Sequence, residues 1–179
     1  MGTDTSVLMR VDTILVDPET NAPVIVLRGE QDSNMFLPIC IGQSEAAAIA
    51  SILANVTLPR PMTHDLFYKF IEFTGVSIER VSITRMEEDT FYAELVVRRP
   101  SGEFETLDAR PSDSIALGLR AGASLHVAEE VLAQAGGYSA ADEEEAGQPD
   151  ANGDSLEGQL LSDVRLEDLE ADTFGKYKM

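Results

Sequence analysis

The sequence of 179 residues has one cysteine, no tryptophan and few basic residues. Cys40 has no second cysteine to pair with, so no intrachain disulfide forms, and we expect a reducing location, the cytoplasm. No apolar run approaches the roughly 20 residues of a membrane-spanning helix, and we find no export signal. The 13 basic and 32 acidic side chains give a formal charge of −19. Because this charge opposes non-specific attraction to phosphate or anionic lipid, any nucleic-acid site must be local.

Most sequence motifs that mark an active site are also missing. The chain has no glycine-rich phosphate loop, no nucleophile elbow, no H-E-x-x-H and no paired C-x-x-C. With only His64 and His126, a three-histidine zinc site is excluded. We interpret Cys40, which lies between two isoleucines, as a small core residue and His126 as a structural residue.

The acidic residues are unevenly distributed. Residues 1–137 hold 10 basic and 20 acidic side chains, whereas residues 138–179 hold 3 and 12. We predict a single domain over residues 1–137 and an acidic tail over residues 138–179, disordered at first and with a possible short amphipathic helix later. Such a tail could dock on the domain, bind a basic partner, or only keep the chain in solution.

Apolar periodicity predicts an α+β fold with a mixed or antiparallel sheet and about four helices. A hairpin is expected first, and a three-stranded meander is expected after two helices. A change of apolar parity near Glu79 predicts a β-bulge, and Phe67, Phe70 and Ile71 are expected on one helix face. The predicted strands are residues 7–17, 23–28, 35–41, 76–85, 90–99, 104–109 and 124–127, and the helices begin near residues 42–44, 64, 112 and 128.

Two segments, residues 59–65 and 108–114, share a layout. In each, an arginine precedes a proline, and a hydroxyl residue suited to capping a helix is followed by an aspartate in the first turn. Arg60 and Arg110 would then lie beside helix N-termini, where backbone N–H groups and the helix dipole favour an anion. One interpretation is a phosphate site with nearby carboxylates that could hold a divalent metal.

An ordinary helix start explains the same residues. Asp65 and Asp113 are typical of first turns, where they offset the helix dipole, and the arginines could pair with them or with Glu45. His64 fits either a proton-transfer group or a hydrogen-bonded cap. The residues alone leave both interpretations open.

Taken together, the motifs resemble the bifunctional nuclease family. They are L-P-I-C-I-G at residues 37–42 with Glu45 and Ala46, then residues 59–65, 90–93 and 108–117, in order at sensible spacing. The resemblance covers about residues 7–135 and leaves out the tail. It implies an α+β fold, self-association, activity on RNA and DNA, and polar motif positions at Glu45, Arg60, His64, Asp65, Asp108, Arg110, Ser112 and Asp113.

Our hypothesis is phosphodiester hydrolysis in a cleft where the two segments converge near Glu45. Arginines would hold the phosphate, carboxylates would bind Mg²⁺ or Mn²⁺, and a metal-activated water would attack with a histidine as proton shuttle. The residues assigned are His64, Glu45 and Asp65 for catalysis, Arg60, Arg110 and Ser112 for the phosphate, and Asp108 and Asp113 for the metal.

The alternative is a non-enzymatic regulatory or adaptor module. The same polar residues would then fix loops and a dimer interface, and the acidic tail would bind a basic partner. The excess of acidic residues within the domain itself favours this alternative, because it is a poor platform for polyanions. Arginines left free in a positive cleft would favour the nuclease, and fully paired arginines would favour the module.

Overall fold

A computed structural model describes residues 5–139, which form eight strands and four helices. The α+β class predicted from the sequence is confirmed, while the predicted tail from residue 140 onward lies outside the described residues. The strands are β1 (Ser6–Val16), β2 (Pro23–Gly29), β3 (Met35–Cys40), β4 (Ser77–Glu87), β5 (Thr90–Arg98), β6 (Phe104–Ala109), β7 (Ser124–Ala128) and β8 (Gly137–Tyr138). The helices are α1 (Gln43–Leu53), α2 (Thr63–Thr74), α3 (Pro111–Ala121) and α4 (Glu129–Ala135).

All eight strands belong to one mixed sheet, in the order β6-β5-β4-β7-β1-β2-β3-β8. The predicted hairpin β1–β2 and the predicted meander β4–β5–β6 are both present and antiparallel. Strand β7 lies between them, antiparallel to β1 and parallel to β4. The two antiparallel halves of the sheet are therefore joined through its centre by one short strand.

A β-bulge interrupts β4 where the apolar parity changes. The register with β5 shifts between Ile78 and Arg80, as predicted, and shifts again between Ile83 and Arg85. Because a bulge adds one residue to one strand, it changes which side chains face the core. Val81 and Ile83, which follow the first bulge, are accordingly buried.

The core lies between the sheet and helices α1 and α3. Its fully buried side chains include Ile25 and Leu27 of β2, Ile49 of α1 and Ile115 of α3. A Cβ on Gly118 would overlap the Val81 side chain, so α3 lies unusually close to β4. This close approach fixes the height of α3, and with it the position of the first turn of α3, above the sheet.

Helix α2 is packed far more lightly than α1 and α3, and none of its residues is buried. Tyr68 and Ile71 pack against the core, but Phe67 and Phe70 are half exposed. The expected shared face of Phe67, Phe70 and Ile71 is thus covered only at Ile71, because α2 contacts mainly α3 and only a narrow stripe of it is packed. The helix ends at Gly75, whose φ of 76° provides the left-handed cap.

The sheet continues one residue past the boundary predicted at residue 137. Tyr138 pairs with Met35 of β3, and Gly137 pairs with Phe36. Among residues 5–139, no helix has the length and the apolar character needed to cross a membrane.

Candidate functional site

The first turns of α1, α2 and α3 meet on the helix side of the sheet. Met62 and Arg110 are the N-cap residues of α2 and α3, so the prediction that a hydroxyl residue caps each helix is wrong. At α2, the Asp65 carboxylate accepts the Met62 N–H at 2.8 Å and takes the capping role. At α3, Pro111 stands at the first helical position, where its fixed φ starts the helix before Ser112.

Four side chains form a continuous hydrogen-bonded chain across these helix starts: Glu45, Arg110, Asp113 and His64. Arg110 donates from Nη2 to Glu45 Oε1 at 2.7 Å and from Nε to Asp113 Oδ2 at 2.8 Å. The other Asp113 oxygen, Oδ1, lies 3.0 Å from His64 Nε2. We call these four residues the helix-start network. The two segments singled out in the sequence therefore converge beside Glu45, as the cleft hypothesis requires.

Asp113 is held ionised at the centre of this network. Partial burial raises the pKa of Asp113, but the hydrogen bonds and charges of Arg110 and His64 outweigh it, so the pKa lies below its ordinary value. The same bonds, from Asp113 and from Glu45, raise the pKa of Arg110. The network therefore pairs an ionised carboxylate with a permanently charged guanidinium.

This pairing also sets the orientation of His64. Because the ionised Asp113 can only accept hydrogen bonds, His64 Nε2 carries the proton that faces it, and Nδ1 is the ring nitrogen left to exchange a proton with another group. The arrangement is that of a carboxylate that orients a histidine, and it can support proton transfer at Nδ1.

A second ion pair fixes the start of α2, and one of its members was not predicted from the sequence. Arg120, whose side chain is only 4% exposed, donates from Nε to Asp65 Oδ1 at 2.8 Å, and its Nη2 lies 2.6 Å from the same oxygen. It also donates to the carbonyls of Ala116 and Ala48. Partial burial raises the pKa of Asp65, but the hydrogen bonds from the Met62 N–H and from Arg120 lower it by more, so the pKa of Asp65 lies below its ordinary value. Helical periodicity could have found Arg120, because it lies two turns after Asp113 on one face of α3.

Arg60 and Ser112, assigned to the phosphate, lie beside this network without joining it. Arg60 is exposed in the loop before α2 and makes no hydrogen bond or ion pair with residues 5–139. Ser112 is buried in the first turn of α3, and its hydroxyl has no partner within the same range. Both can therefore accept a ligand without breaking an existing bond.

Asp108 lies away from the network. It pairs with Glu94 in the β5–β6 ladder, while the neighbouring Ala109 pairs with the buried Ala93. Since side chains alternate along a strand, Asp108 is on the sheet face opposite to the helices. The expected convergence of Asp108 with Asp113 is therefore not present in the fold.

The carboxylates of the site do not fit a metal site of Asp108 and Asp113. Both Asp113 oxygens are already hydrogen-bonded, and Asp108 is on the other face of the sheet. In the described part of the chain, no group of three or more histidine, cysteine, aspartate or glutamate side chains is arranged to hold a metal. Binding of Mg²⁺ or Mn²⁺ stays a prediction from the sequence.

Cys40 and His126 lie outside the helix-start network. Cys40 is an exposed free thiol at the end of β3, so its interpretation as a core residue is wrong. It follows the buried Ile39 in a strand whose side chains alternate between core and solvent. His126 lies in the central strand β7 and is hydrogen-bonded to Ser6 and Ser124, in keeping with a structural role.

Comparison with known proteins places this domain in a family. The fold combines a mixed sheet with three helix starts that are joined by charged residues. The family model of the bifunctional nuclease domain matches residues 25–139 of this chain. The chain therefore belongs to the bifunctional nuclease domain family.

The relatives differ in what their names say. An uncharacterized protein of Mycobacterium tuberculosis is 48% identical over 128 residues, which is 72% of this chain and 75% of that protein. Bifunctional nuclease 1 of Oryza sativa subsp. indica is 33% identical over 98 residues, 54% of this chain and 30% of the rice protein. Bifunctional nuclease 1 of Arabidopsis thaliana is 25% identical over 100 residues, 55% of this chain and 31% of that protein. This chain thus matches less than a third of each plant protein.

Proposed function

We propose that this chain is a nuclease that hydrolyses phosphodiester bonds of RNA and DNA at the helix-start network. The observation that carries the proposal is the unbroken series of hydrogen bonds from Glu45 through Arg110 and Asp113 to His64. This network places a cation that can bind phosphate beside a histidine that is oriented for proton transfer. The nuclease names of the plant relatives support the same chemistry.

Arg110 would bind the scissile phosphate. Its side chain is 67% exposed, and its two hydrogen bonds use Nε and Nη2. Since a guanidinium has five N–H donors, Nη1 and one hydrogen of Nη2 stay available to phosphate oxygens. Arg60 would be a second cation for the substrate strand. It precedes His64 by four residues and therefore lies within about 14 Å of it.

His64 would act as the general base. Its Nδ1 takes a proton from a water molecule, the resulting hydroxide attacks phosphorus, and the bond from phosphorus to the leaving oxygen breaks. The leaving oxygen then takes a proton from solvent, and the negative charge on the phosphate oxygens is stabilised by Arg110. Asp113 orients the histidine, while Glu45 and Asp65 position Arg110 and the start of α2.

The metal and the cellular location predicted from the sequence also belong to this proposal. Because Asp108 and Asp113 do not offer a joint site for Mg²⁺ or Mn²⁺, the mechanism above depends on this chain's own side chains, and a requirement for either metal stays a prediction. The expected location is the cytoplasm, where the single exposed thiol of Cys40 would stay reduced.

The proposal is tested by cleavage of single-stranded RNA and DNA by the purified full chain, with Mg²⁺, Mn²⁺ or EDTA. Arg110→Ala is expected to reduce cleavage at least a hundredfold, whereas Arg98→Ala should leave it unchanged. Arg98 is a matched control, since it is also exposed and paired with a carboxylate. Equal cleavage by the two variants would contradict the proposal.

One observation favours the adaptor module as a second candidate. Arg110 is already paired with Glu45 and Asp113, which suits a network that only holds three helices together. The same assay separates the candidates, because the module predicts no cleavage under any of the three conditions. Its partner would be a basic surface bound by the acidic tail.

We further propose that two copies associate through the outward face of α2. Leu66, Phe67, Phe70 and Phe73 are 62%, 50%, 59% and 88% exposed, which leaves roughly 500 Å² of apolar surface on one helix. A standard interface buries about 800 Å² per partner, of which roughly 57% is nonpolar. The patch is therefore of the size that one side of a dimer needs.

A second copy suits this face because the stripe is nearly symmetric along the helix. Leu66 and Phe73 lie four residues before and three residues after Phe70. In an antiparallel pair around a two-fold axis, each end of the stripe would contact the opposite end in the other copy. The association would also cover the helix that carries His64.

A further inference from the structure

Strand β6 forms an open edge of the sheet, and the functions proposed above leave that edge unassigned. It pairs only with β5, over all six of its residues and without a register shift. The N–H of Arg99 donates to the carbonyl of Glu103 at 2.8 Å. Because hydrogen-bonded positions alternate along an antiparallel pair, Phe104, Thr106 and Asp108 direct their N–H and C=O groups away from β5. Among residues 5–139 these outward groups have no hydrogen-bond partner.

The opposite edge of the same sheet is protected. Its last strand, β8, has only two residues, and the neighbouring β3 contains Pro38, which has no N–H to donate. Short strands, prolines, lysines and bulges limit sheet edges in natural proteins, because an open edge is a template for another strand. Strand β6, with the sequence F-E-T-L-D-A, has neither proline nor lysine, and its pairing with β5 has no bulge. This edge is therefore able to accept a further strand.

The side chains at this edge suit an added strand with basic and apolar residues. Asp108 lies directly opposite Glu94 of β5, and neither carboxylate forms an ion pair within the described part of the chain. Like charges directly opposite each other are destabilising, so a cation beside this pair is favourable. Phe104 and Leu107 are 64% and 49% exposed. Apolar side chains of an added strand would cover them.

The chain itself contains a segment of this character. Residues 173–179 read T-F-G-K-Y-K-M. In an extended strand, Phe174, Lys176 and Lys178 would lie on one face, and Tyr177 and Met179 on the other. The segment has two lysines and no acidic residue, whereas residues 140–172 hold twelve acidic residues and one arginine. It is therefore the part of the tail whose charge complements β6.

The length of the intervening chain matches the distance to be bridged. The N–H of Ser139 donates to the Asn34 carbonyl at 2.8 Å, so the last described residue lies beside β3, at the edge opposite to β6. The width of the sheet between β8 and β6 is about 34 Å at the usual strand spacing. A flexible chain as long as residues 140–172 has a root-mean-square end-to-end distance of about 32 Å. A linker that matches its span gives the attached segment its highest effective concentration.

We infer that residues 173–179 add to β6 as a further strand of the same sheet. Main-chain hydrogen bonds to Phe104, Thr106 and Asp108 hold the segment, and a lysine lies beside the carboxylates of Asp108 and Glu94. The inference does not depend on nuclease activity. Because β6 ends one residue before Arg110, the N-cap of α3, the docked segment also holds the acidic tail next to the helix-start network.

Amide hydrogen exchange of the full chain tests the inference. An edge N–H without a partner exchanges quickly, whereas one bonded to an added strand is protected, so the amides of Phe104, Thr106 and Asp108 should exchange at least tenfold more slowly in the wild-type chain than in a Lys176→Glu, Lys178→Glu double variant. Arg165→Glu reverses the other basic residue of the tail and should leave the three rates unchanged. Equal rates in the wild-type chain and the double variant would overturn the inference.

The edge itself is tested by a proline. Since the Thr106 N–H points away from β5, Thr106→Pro removes an outward donor and leaves the hydrogen bonds to β5 in place. Protection of Phe104 and Asp108 should then fall at least tenfold, whereas Thr106→Ala, which loses the same side chain but keeps the N–H, should retain it. Equal protection in the two variants would contradict strand addition, and the lysine variants decide the matter if the proline variant does not fold.

Dilution identifies the chain that supplies the strand. Protection by the molecule's own segment is independent of protein concentration, so the three rates should stay constant over a hundredfold dilution of the wild-type chain. Protection that is lost on dilution would assign the edge to a second copy and overturn the inference. Fast exchange of the three amides at every concentration would show that the edge is open, with the same consequence.

Discussion

His64 Nε2 lies 3.0 Å from Asp113 Oδ1, so one contact joins the start of α2 to the start of α3 across 49 residues of sequence. Asp113 is bonded in turn to Arg110, and Arg110 to Glu45 of α1. The three helices therefore share one set of charges at their first turns. A substitution at any of the four residues should therefore change the positions of the other three side chains.

Gly42 gives a way to disturb this network with little effect on the fold. A Cβ at this position would overlap the Glu45 carboxylate, although the φ of −77° is ordinary for any residue. Gly42→Ala should displace the end of Glu45, loosen Arg110 and lower kcat/KM for RNA about tenfold. The melting temperature should stay within about 2 °C, because only the end of a flexible side chain has to move. A large loss of stability with full activity would contradict this role for Gly42.

The lowered pKa values of Asp65 and Asp113 predict a loss of stability in acid. Because the pKa of Asp113 and that of Asp65 lie below their ordinary value of about 3.9, their contribution is complete above about pH 5. It is lost as the pH falls through about 4 towards the lowered values. Denaturant unfolding from pH 7 to pH 3 should show this decrease, and Asp113→Asn and Asp65→Asn should each flatten the curve. Asp108→Asn, an exposed control in β6, should leave its shape unchanged.

Arg120 should matter more for stability than any exposed arginine. Its side chain is buried and binds both Asp65 and two carbonyls, so Arg120→Met removes the positive partner of a partly buried carboxylate and one hydrogen bond from each carbonyl. We expect a loss of about 2 kcal/mol in the free energy of unfolding, discounted because Asp65 is partly exposed. Arg98→Met should cost less than about 0.5 kcal/mol, as is usual for a surface pair. Urea unfolding of the two variants measures the difference, and equal values would show that the Arg120 pair is not structural.

The proposed dimer face can be tested at its most exposed residue. Phe73→Glu places a charge at the end of the α2 stripe and should shift the chain from dimer to monomer in sedimentation velocity at micromolar concentration. Phe104→Glu is the control, because Phe104 is comparably exposed but lies at the edge strand β6. A monomeric wild-type chain, or dissociation by the control alone, would remove α2 as the interface.

Local sequence patterns predicted the individual strands and helices of the fold. They did not predict which distant strands pair with each other in the sheet. Alternation located β5, and the parity change near Glu79 located its bulge, because both depend on neighbours along the chain. The parallel pairing of β4 with β7 depends on residues more than 40 positions apart and leaves no local signal. The covered side of α2 was not predicted either, because its exposed residues, which include Phe70 and Phe73, are at least as apolar as the covered Tyr68 and Ile71.

The candidate site divides in the same way. The layout of residues 59–65 and 108–114 correctly brought Arg110, Asp113, His64 and Glu45 into one place. Asp108 belongs to the same motif but lies on the opposite face, because one residue along a strand reverses the direction of a side chain. Arg120 was missed because it lies outside the motifs, although the helical repeat connects it to Asp113.

The coupling between His64 and Asp113 is the most direct test of the proposed mechanism. The measurement is single-turnover cleavage of a single-stranded RNA by His64→Gln, Asp113→Asn and the double variant, with His126→Gln as the matched histidine control. The mechanism predicts a loss of at least a hundredfold in each single variant and little further loss in the double variant, because the two residues act as one unit. The control should keep full activity. Additive losses, or equal losses in His64→Gln and His126→Gln, would contradict a histidine oriented by Asp113 as the centre of catalysis.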